Sequence, residues 1–148
     1  MNSVEYCRFN GALHAIIVRS SFNDPGITFF TDPASSQQLA AMSHPVGKII
    51  APHRHNKVPR EVHQVQEVLV IQEGKLQVDF YTESEEYLES RILLAGDTIM
   101  LCHGAHGFRV LEPLKMIEIK QGPYPGEGQT TRFPEAPDSD IRIGGPTS

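Results

Sequence analysis

His53 and His55, one residue apart, and Glu67, twelve positions further on, are the side chains of this chain best suited to chemistry. On a β-strand, residues i and i+2 point to the same face roughly 6.5–7 Å apart, so two imidazoles so spaced can converge on one ion. Imidazole is the commonest protein ligand for zinc, iron, nickel and copper, and a carboxylate is a frequent further partner. By itself the His-x-His pair reads better as two surface histidines near a loop. Glu67 carries more information, because Val65, Glu67, Leu69 and Ile71 share one face of a strand. A carboxylate in such an inward-looking apolar row is costly unless it is paired or metal-bound. His63 is the rival partner, four residues before Glu67. On a helix the two would share a face, but "PREVHQVQEVLVIQ" carries too many valines and isoleucines for that. On a strand they stand ~13 Å apart, too far to chelate one ion. Lys57 and Arg60, just past the histidines, are the substrate-binding candidates for a carboxylate or phosphate group. Solvated loop charges are their alternative reading.

The elements that would position these residues read as short β-strands separated by turn chemistry. Leu13–Arg19 is followed by the breaker "NDPG", Ile27–Phe30 by "TDPASS", and "KII" runs into the histidines. A short helix over "SSQQLAAM" is the one helical expectation. Val65–Ile71 is rich in β-branched residues, and the "QEGK" after it predicts a tight hairpin turn. "KLQVDFY" alternates, with Leu76, Val78 and Phe80 on one face and Gln77, Asp79 and Tyr81 on the other. "YLESRILL", "TIML", "GFRVLE" and "LKMIEIK" follow, the last two broken at Glu112–Pro113. Strands with turns at this spacing predict an all-β sandwich or barrel. From Gln121 the composition turns to Pro, Gly, Ser and Thr, predicting an extended arm packed as far as Phe133 with a frayed end.

Two separated motifs sharpen this reading. Gly47, five residues, then His53-x-His55 matches the opening of the first cupin motif, and Glu67, six residues, then Gly74 matches its close. Gly96-Asp97, leading through "TIMLCHGA" to His106 and "GF", matches the second. The chain therefore resembles a single-domain cupin from about Leu13 to Lys120. The resemblance implies a double-stranded β-helix, the cupin jelly-roll barrel, over residues 1–122, with 123–148 as a Pro/Gly-rich, partly flexible arm. It implies one divalent transition metal, zinc, iron, manganese or nickel, held by His53, His55, Glu67 and His106. The chain departs from the family pattern in placing eleven residues between His55 and Glu67, where three or four are usual. It also has one residue instead of two between Gly104 and His106, and Cys102 in place of proline. Whether Glu67 joins the histidines or leaves a three-histidine site is thus open at this stage. His103 fits the second motif less well than His106. His14 and His44 lie outside both motifs and read as ordinary polar residues.

Composition bounds the function. With 148 residues, 39% of them apolar and 21% charged, the chain is long enough for one substantial core. No apolar run approaches the ~20 residues of a membrane span, and the first twenty residues lack a secretory signal. A net charge of −5, with basic residues scattered, argues against nucleic acid as partner. Cys7 and Cys102 read as free thiols of a cytoplasmic protein. The expected function is that of a metal-dependent enzyme, an isomerase, lyase or dioxygenase, acting on a small polar metabolite. "EIKQGPY" resembles a segment of small cupins of sugar metabolism, which makes that metabolite sugar-related. A non-catalytic metal-dependent binding or sensor module is the alternative, and a structural unit the third. A homodimer is expected by resemblance, with Leu13–Phe30 and the arm at its interface.

Overall fold

The computed structural model describes residues 2–124 and 126–145. Contacts between Cα atoms divide the chain into two compact units, Phe22–Val65 and the remainder, Met1–Ser21 with Gln66–Ser148.

The larger unit carries six strands: β1 (Val4–Phe9), β2 (Ala12–Val18), β5 (Glu67–Tyr81), β6 (Tyr87–Leu94), β7 (Thr98–Leu101) and β8 (Ala105–Lys120). They form one antiparallel sheet in the order β1-β2-β7-β5-β6, with β8 paired to β5. The sheet curls into a half-barrel, so the protein is all-β, with no α-helix among the described residues. Among those residues no helix is long and apolar enough to cross a membrane. β1 and β2 meet in an Asn10-Gly11 turn with φ of 51° and 80°, the two positive angles a type I′ hairpin requires.

β5 and β8 explain how one sheet curls. The hairpin expected at "QEGK" does not form, nor does the break at Glu112–Pro113. β5 runs on for 15 residues and β8 for 16. Both punctuation marks fall on the same place in the ribbon, where the pairing register slips between Ile71 and Leu76. Gly74 has φ +87°, and a Cβ there would run into the Pro113 carbonyl. Glycine and proline are here the tools of a bulged bend, which lets two long strands turn without separating. Before the bend β5 pairs with β7, and after it with β6.

The inner face of the curl is apolar: Ile17, Leu69, Leu76, Val78, Phe80 and Leu93 are all buried in one cluster. Burying each such side chain stabilises the fold by about 1.5–3 kcal/mol. The alternation of β5 is thus what selects the sheet's inner side. Charged side chains clasp the two outermost strands of the path. Glu5 of β1 meets Arg91 of β6 at 3.3 Å and Arg19 at 2.6 Å, and Arg19 reaches Asp97 at 2.9 Å and the Ile92 carbonyl at 2.7 Å.

The outer face of β5 is buried by the C-terminal arm, which is held beyond Phe133. The Phe133 ring sits edge-on to Tyr81 at 5.1 Å, and the Ala136 N–H donates to the Tyr81 hydroxyl at 3.0 Å. Further on, Ile143 bridges Ser90 in parallel, with the Ser90 N–H donating to Arg142 and the Gly144 N–H to Ser90, both at 2.9 Å. A tail poor in secondary structure must find partners for its buried backbone elsewhere, and these side chains and this edge supply them. The end expected to fray lies partly outside the described residues.

The smaller unit holds the hairpin β3 (Gly26–Phe29) and β4 (Ala40–Ser43), paired Gly26 to Ser43 and Phe29 to Ala40. The short helix expected over "SSQQLAAM" is therefore replaced by a strand in its second half. Pairing with β3 overrides the weak local propensity. Phe22 and Phe30 pack edge-to-face at 5.1 Å. Residues 44–65 form no strand, so the strand expected at "KII" is absent.

Candidate functional site

Glu67 is the first residue of β5 and His106 the second of β8. Glu67 pairs across the sheet with Leu101, and His106 with Phe80, both core residues, so both polar side chains stand on the inner face. The curl brings them together: Glu67 Oε2 lies 3.1 Å from His106 Nε2. Both are part-buried, with side-chain exposures of 19% and 28%. Lys120, paired with Glu67 across the sheet, stands 3.9 Å from its other oxygen and 3.0 Å from Glu118. The hydrogen bond from His106 holds the Glu67 carboxyl below its ordinary range, against the opposing effect of burial and with help from the charges of His106 and Lys120.

The pair opens on a cleft of about 900 Å³. Its walls include Met116 and Phe108 of β8, Tyr81 of β5, and Thr130–Phe133 of the arm. The His106 and Phe108 rings lie 5.2 Å apart. A second acid, Asp79, also borders the cleft but is fully engaged. Its Oδ1 accepts from Gln77 at 2.7 Å and Ser90 at 2.5 Å, and its Oδ2 from Arg109 at 3.1 Å. Arg109 in turn donates to the Ala136 carbonyl at 2.5 Å and pairs with Asp138. Asp79 and Arg109 are the residues that sequence reasoning missed. Asp79 was placed correctly opposite Val78 and Phe80, but nothing in the strand itself showed that a distant arm would cover that face.

The remaining expected ligands lie in the smaller unit. His53 and His55 are exposed, on chain with no regular structure, so the strand that was to align them is absent. Their rings nevertheless stand 5.4 Å apart, crossing at 75°, with His53 Nδ1 at 3.0 Å from the Ala51 carbonyl. Lys57 and Arg60 are exposed in the same stretch. His63 is exposed as well and lies 3.4 Å from Glu61. The structure thus shows two pairs, one in each unit. Among the described residues no group of three or more His, Cys, Asp or Glu is placed to hold a metal ion. His14 is buried, with Nδ1 at 3.2 Å from the Ala12 carbonyl and its ring edge-on to His103. Burial pushes the thiols of Cys7 and Cys102 up to about 11, which makes both poor nucleophiles.

No protein-family model, curated protein or solved structure matches the chain. Function must be argued from the site. In the larger unit Glu67 and His106 are donor types that a divalent metal takes, and they stand at 3.1 Å, joined by a hydrogen bond.

Proposed function

We propose that this chain is a divalent-metal-binding protein of the cupin type, its half-barrel sheet being part of a jelly-roll barrel, and that it acts as an enzyme on a small polar metabolite. One observation carries the reading. Glu67 and His106, 39 residues apart in sequence, converge at 3.1 Å on the inner face of a curled sheet, where a cleft opens. Glu67 and His106 would hold the ion. A bound zinc, iron, manganese or nickel ion supplies Lewis-acid polarisation of a substrate oxygen. The chain's own residues do the rest. Lys120 and His106 hold the Glu67 carboxyl in its anionic form, and Phe108 and Met116 make one wall of the cleft apolar.

A second reading, metal-dependent ligand binding without turnover, is favoured by the state of Asp79. The other buried acid of the cleft has both oxygens engaged, by Gln77, Ser90 and Arg109, and so serves the structure and is not presented to a ligand. Elemental analysis of protein expressed with metals in excess tests both readings. About one transition-metal ion per chain is expected, and it should be lost in His106→Ala. A metal-free product under those conditions overturns both. A ligand that raises Tm and is not consumed would select the second.

A further inference from the structure

The cleft has a cation that the Glu67–His106 pair does not explain. Three basic side chains stand in or beside it besides His106, and two are spent. Arg109 has its Nε on Asp79, one terminal nitrogen on the Ala136 carbonyl and the other on Asp138. Lys120 is held between Glu118 and Glu67. Arg132 lines the cleft, is exposed, and among the described residues has no ion-pair or hydrogen-bond partner.

Its position is built with some care. The residue after it, Phe133, is packed on Tyr81, and four residues on the Ala136 amide and carbonyl are both fixed, by Tyr81 and Arg109. Asp79, buried to 1% exposure, anchors that arginine from beneath. The chain just after residue 132 is therefore held, by the Phe133–Tyr81 packing and by the hydrogen bonds at Ala136. Thr130 and Thr131, immediately before it, add two hydroxyls to the same wall. A guanidinium with neighbouring hydroxyl donors, facing a solvent-filled cleft, matches an oxyanion: the planar fork of arginine pairs bidentately with carboxylate or phosphate.

We propose that Arg132 is the anchor for an anionic group, carboxylate or phosphate, of the small molecule bound in this cleft. The proposal rests on the reading of the cleft as a ligand site, and it names the class of ligand. Of the acids bordering the cleft, Glu67, Asp79 and Glu118 are each paired with a cation or imidazole. Glu135, exposed on the arm, is the carboxylate that opposes an incoming anion. Its charge gives the proposal a second, opposite-signed handle.

The test is calorimetric titration of the full chain at low salt with pyrophosphate, malonate and the neutral polyol erythritol, with metal content measured on the same samples. Pyrophosphate or malonate should bind and erythritol should not. Arg132→Ala should weaken the anion by about tenfold to a hundredfold, the range for a lost charge-assisted hydrogen-bond pair. Arg132→Lys should recover part of the loss, and Glu135→Gln should tighten binding about twofold. Preference for pyrophosphate marks a phosphate ligand, and preference for malonate a carboxylate. Arg132-dependent binding to metal-free protein upholds this inference while overturning the metal reading. Metal present, with anion binding unchanged in Arg132→Ala, does the reverse. Absence of any oxyanion binding overturns the inference outright.

Discussion

Glu5, Asp97 and Glu67 are three carboxylates of the same curled sheet, and their surroundings differ in kind. Asp97 accepts from Arg19, from the Ser20 N–H and from the Leu94 N–H, all at 2.9–3.0 Å. Glu5 divides its oxygens between Arg19 and Arg91. Glu67 has His106 at 3.1 Å, a lysine at 3.9 Å and the Glu118 side chain beside it. An ionised carboxylate offers about four lone-pair sites, so the clasp is near saturation and Glu67 is not. The clasp also joins the first and last strands of the sheet path, whereas the Glu67–His106 pair faces a cleft. A saturated carboxylate holds structure, and an unsaturated one at an opening is free to bind something else.

The comparison breaks if removing the clasp costs no more than removing the pair. Arg19→Ala leaves Glu5 and Asp97 with a lost cation in a part-buried setting, and a broken buried pair costs about 3–5 kcal/mol. Urea unfolding should show a loss of that size, the largest of any single change considered, and a loss under about 1 kcal/mol would mean the clasp is ornamental. Arg109→Ala comes next. It removes the cation from Asp79, but Gln77 and Ser90 still donate to that carboxylate and the arginine itself is partly exposed. A cost of about 2 kcal/mol follows, together with faster proteolytic cutting in the arm after Phe133, since the Ala136 and Asp138 contacts go with it. Unchanged proteolysis would detach the arm from the latch.

Much of this division was legible in the residues, and where it was not the reason is physical. The inner row of β5 after Gly74 followed from the alternation of "KLQVDF", and the parity of Glu67 from a β-branched run that outweighs the helical reading. The bend at Gly74 and Pro113 was mistaken for two turns, because a positive-φ glycine serves a hairpin and a bulge equally well. The Asn10-Gly11 hairpin signal was present in "FNGA" and went unused. The burial of Asp79 was out of reach, since it depends on an arm more than 50 residues away in sequence. The strand beneath His53 and His55 was inferred from the "KII" before them, a run too short to hold a strand without a partner.

The two thiols sample the two regions. Cys7 lies on the inner face two residues from Glu5, and Cys102 follows Leu101, the strand partner of Glu67. Burial raises both from 9.0 to about 11, with Arg91 opposing at Cys7. A raised folded-state value contributes stability that is whole below pH 9 and is lost as pH climbs through 11, because the unfolded thiol ionises first. The alkaline limb should fall by about 3 kcal/mol for the deeper thiol, each unit being about 1.4 kcal/mol. Alkylation at pH 8 should mark Cys102 before Cys7, which is 2% exposed. The reverse order would place the opening at the clasp.

The smallest effect on stability is the one most telling for function. Glu67→Gln keeps the shape and still offers an oxygen to His106, so the change in unfolding free energy should stay below about 1 kcal/mol. Its pH signature has a definite sign. The Glu67 carboxyl is depressed, so its contribution is present above its ordinary value of 4.5 and lost as pH falls through the lower folded value. The variant should therefore fall slightly short of the wild type at neutral pH and converge on it as pH drops through the acid limb. Metal retention should show the far larger effect, collapsing at neutral pH because a neutral amide replaces an anionic ligand. A variant that keeps both its stability and its metal would leave His106 and the other histidines as the whole site. One that loses several kcal/mol would make Glu67 a structural carboxylate like Asp97, and the distinction between the two regions would dissolve.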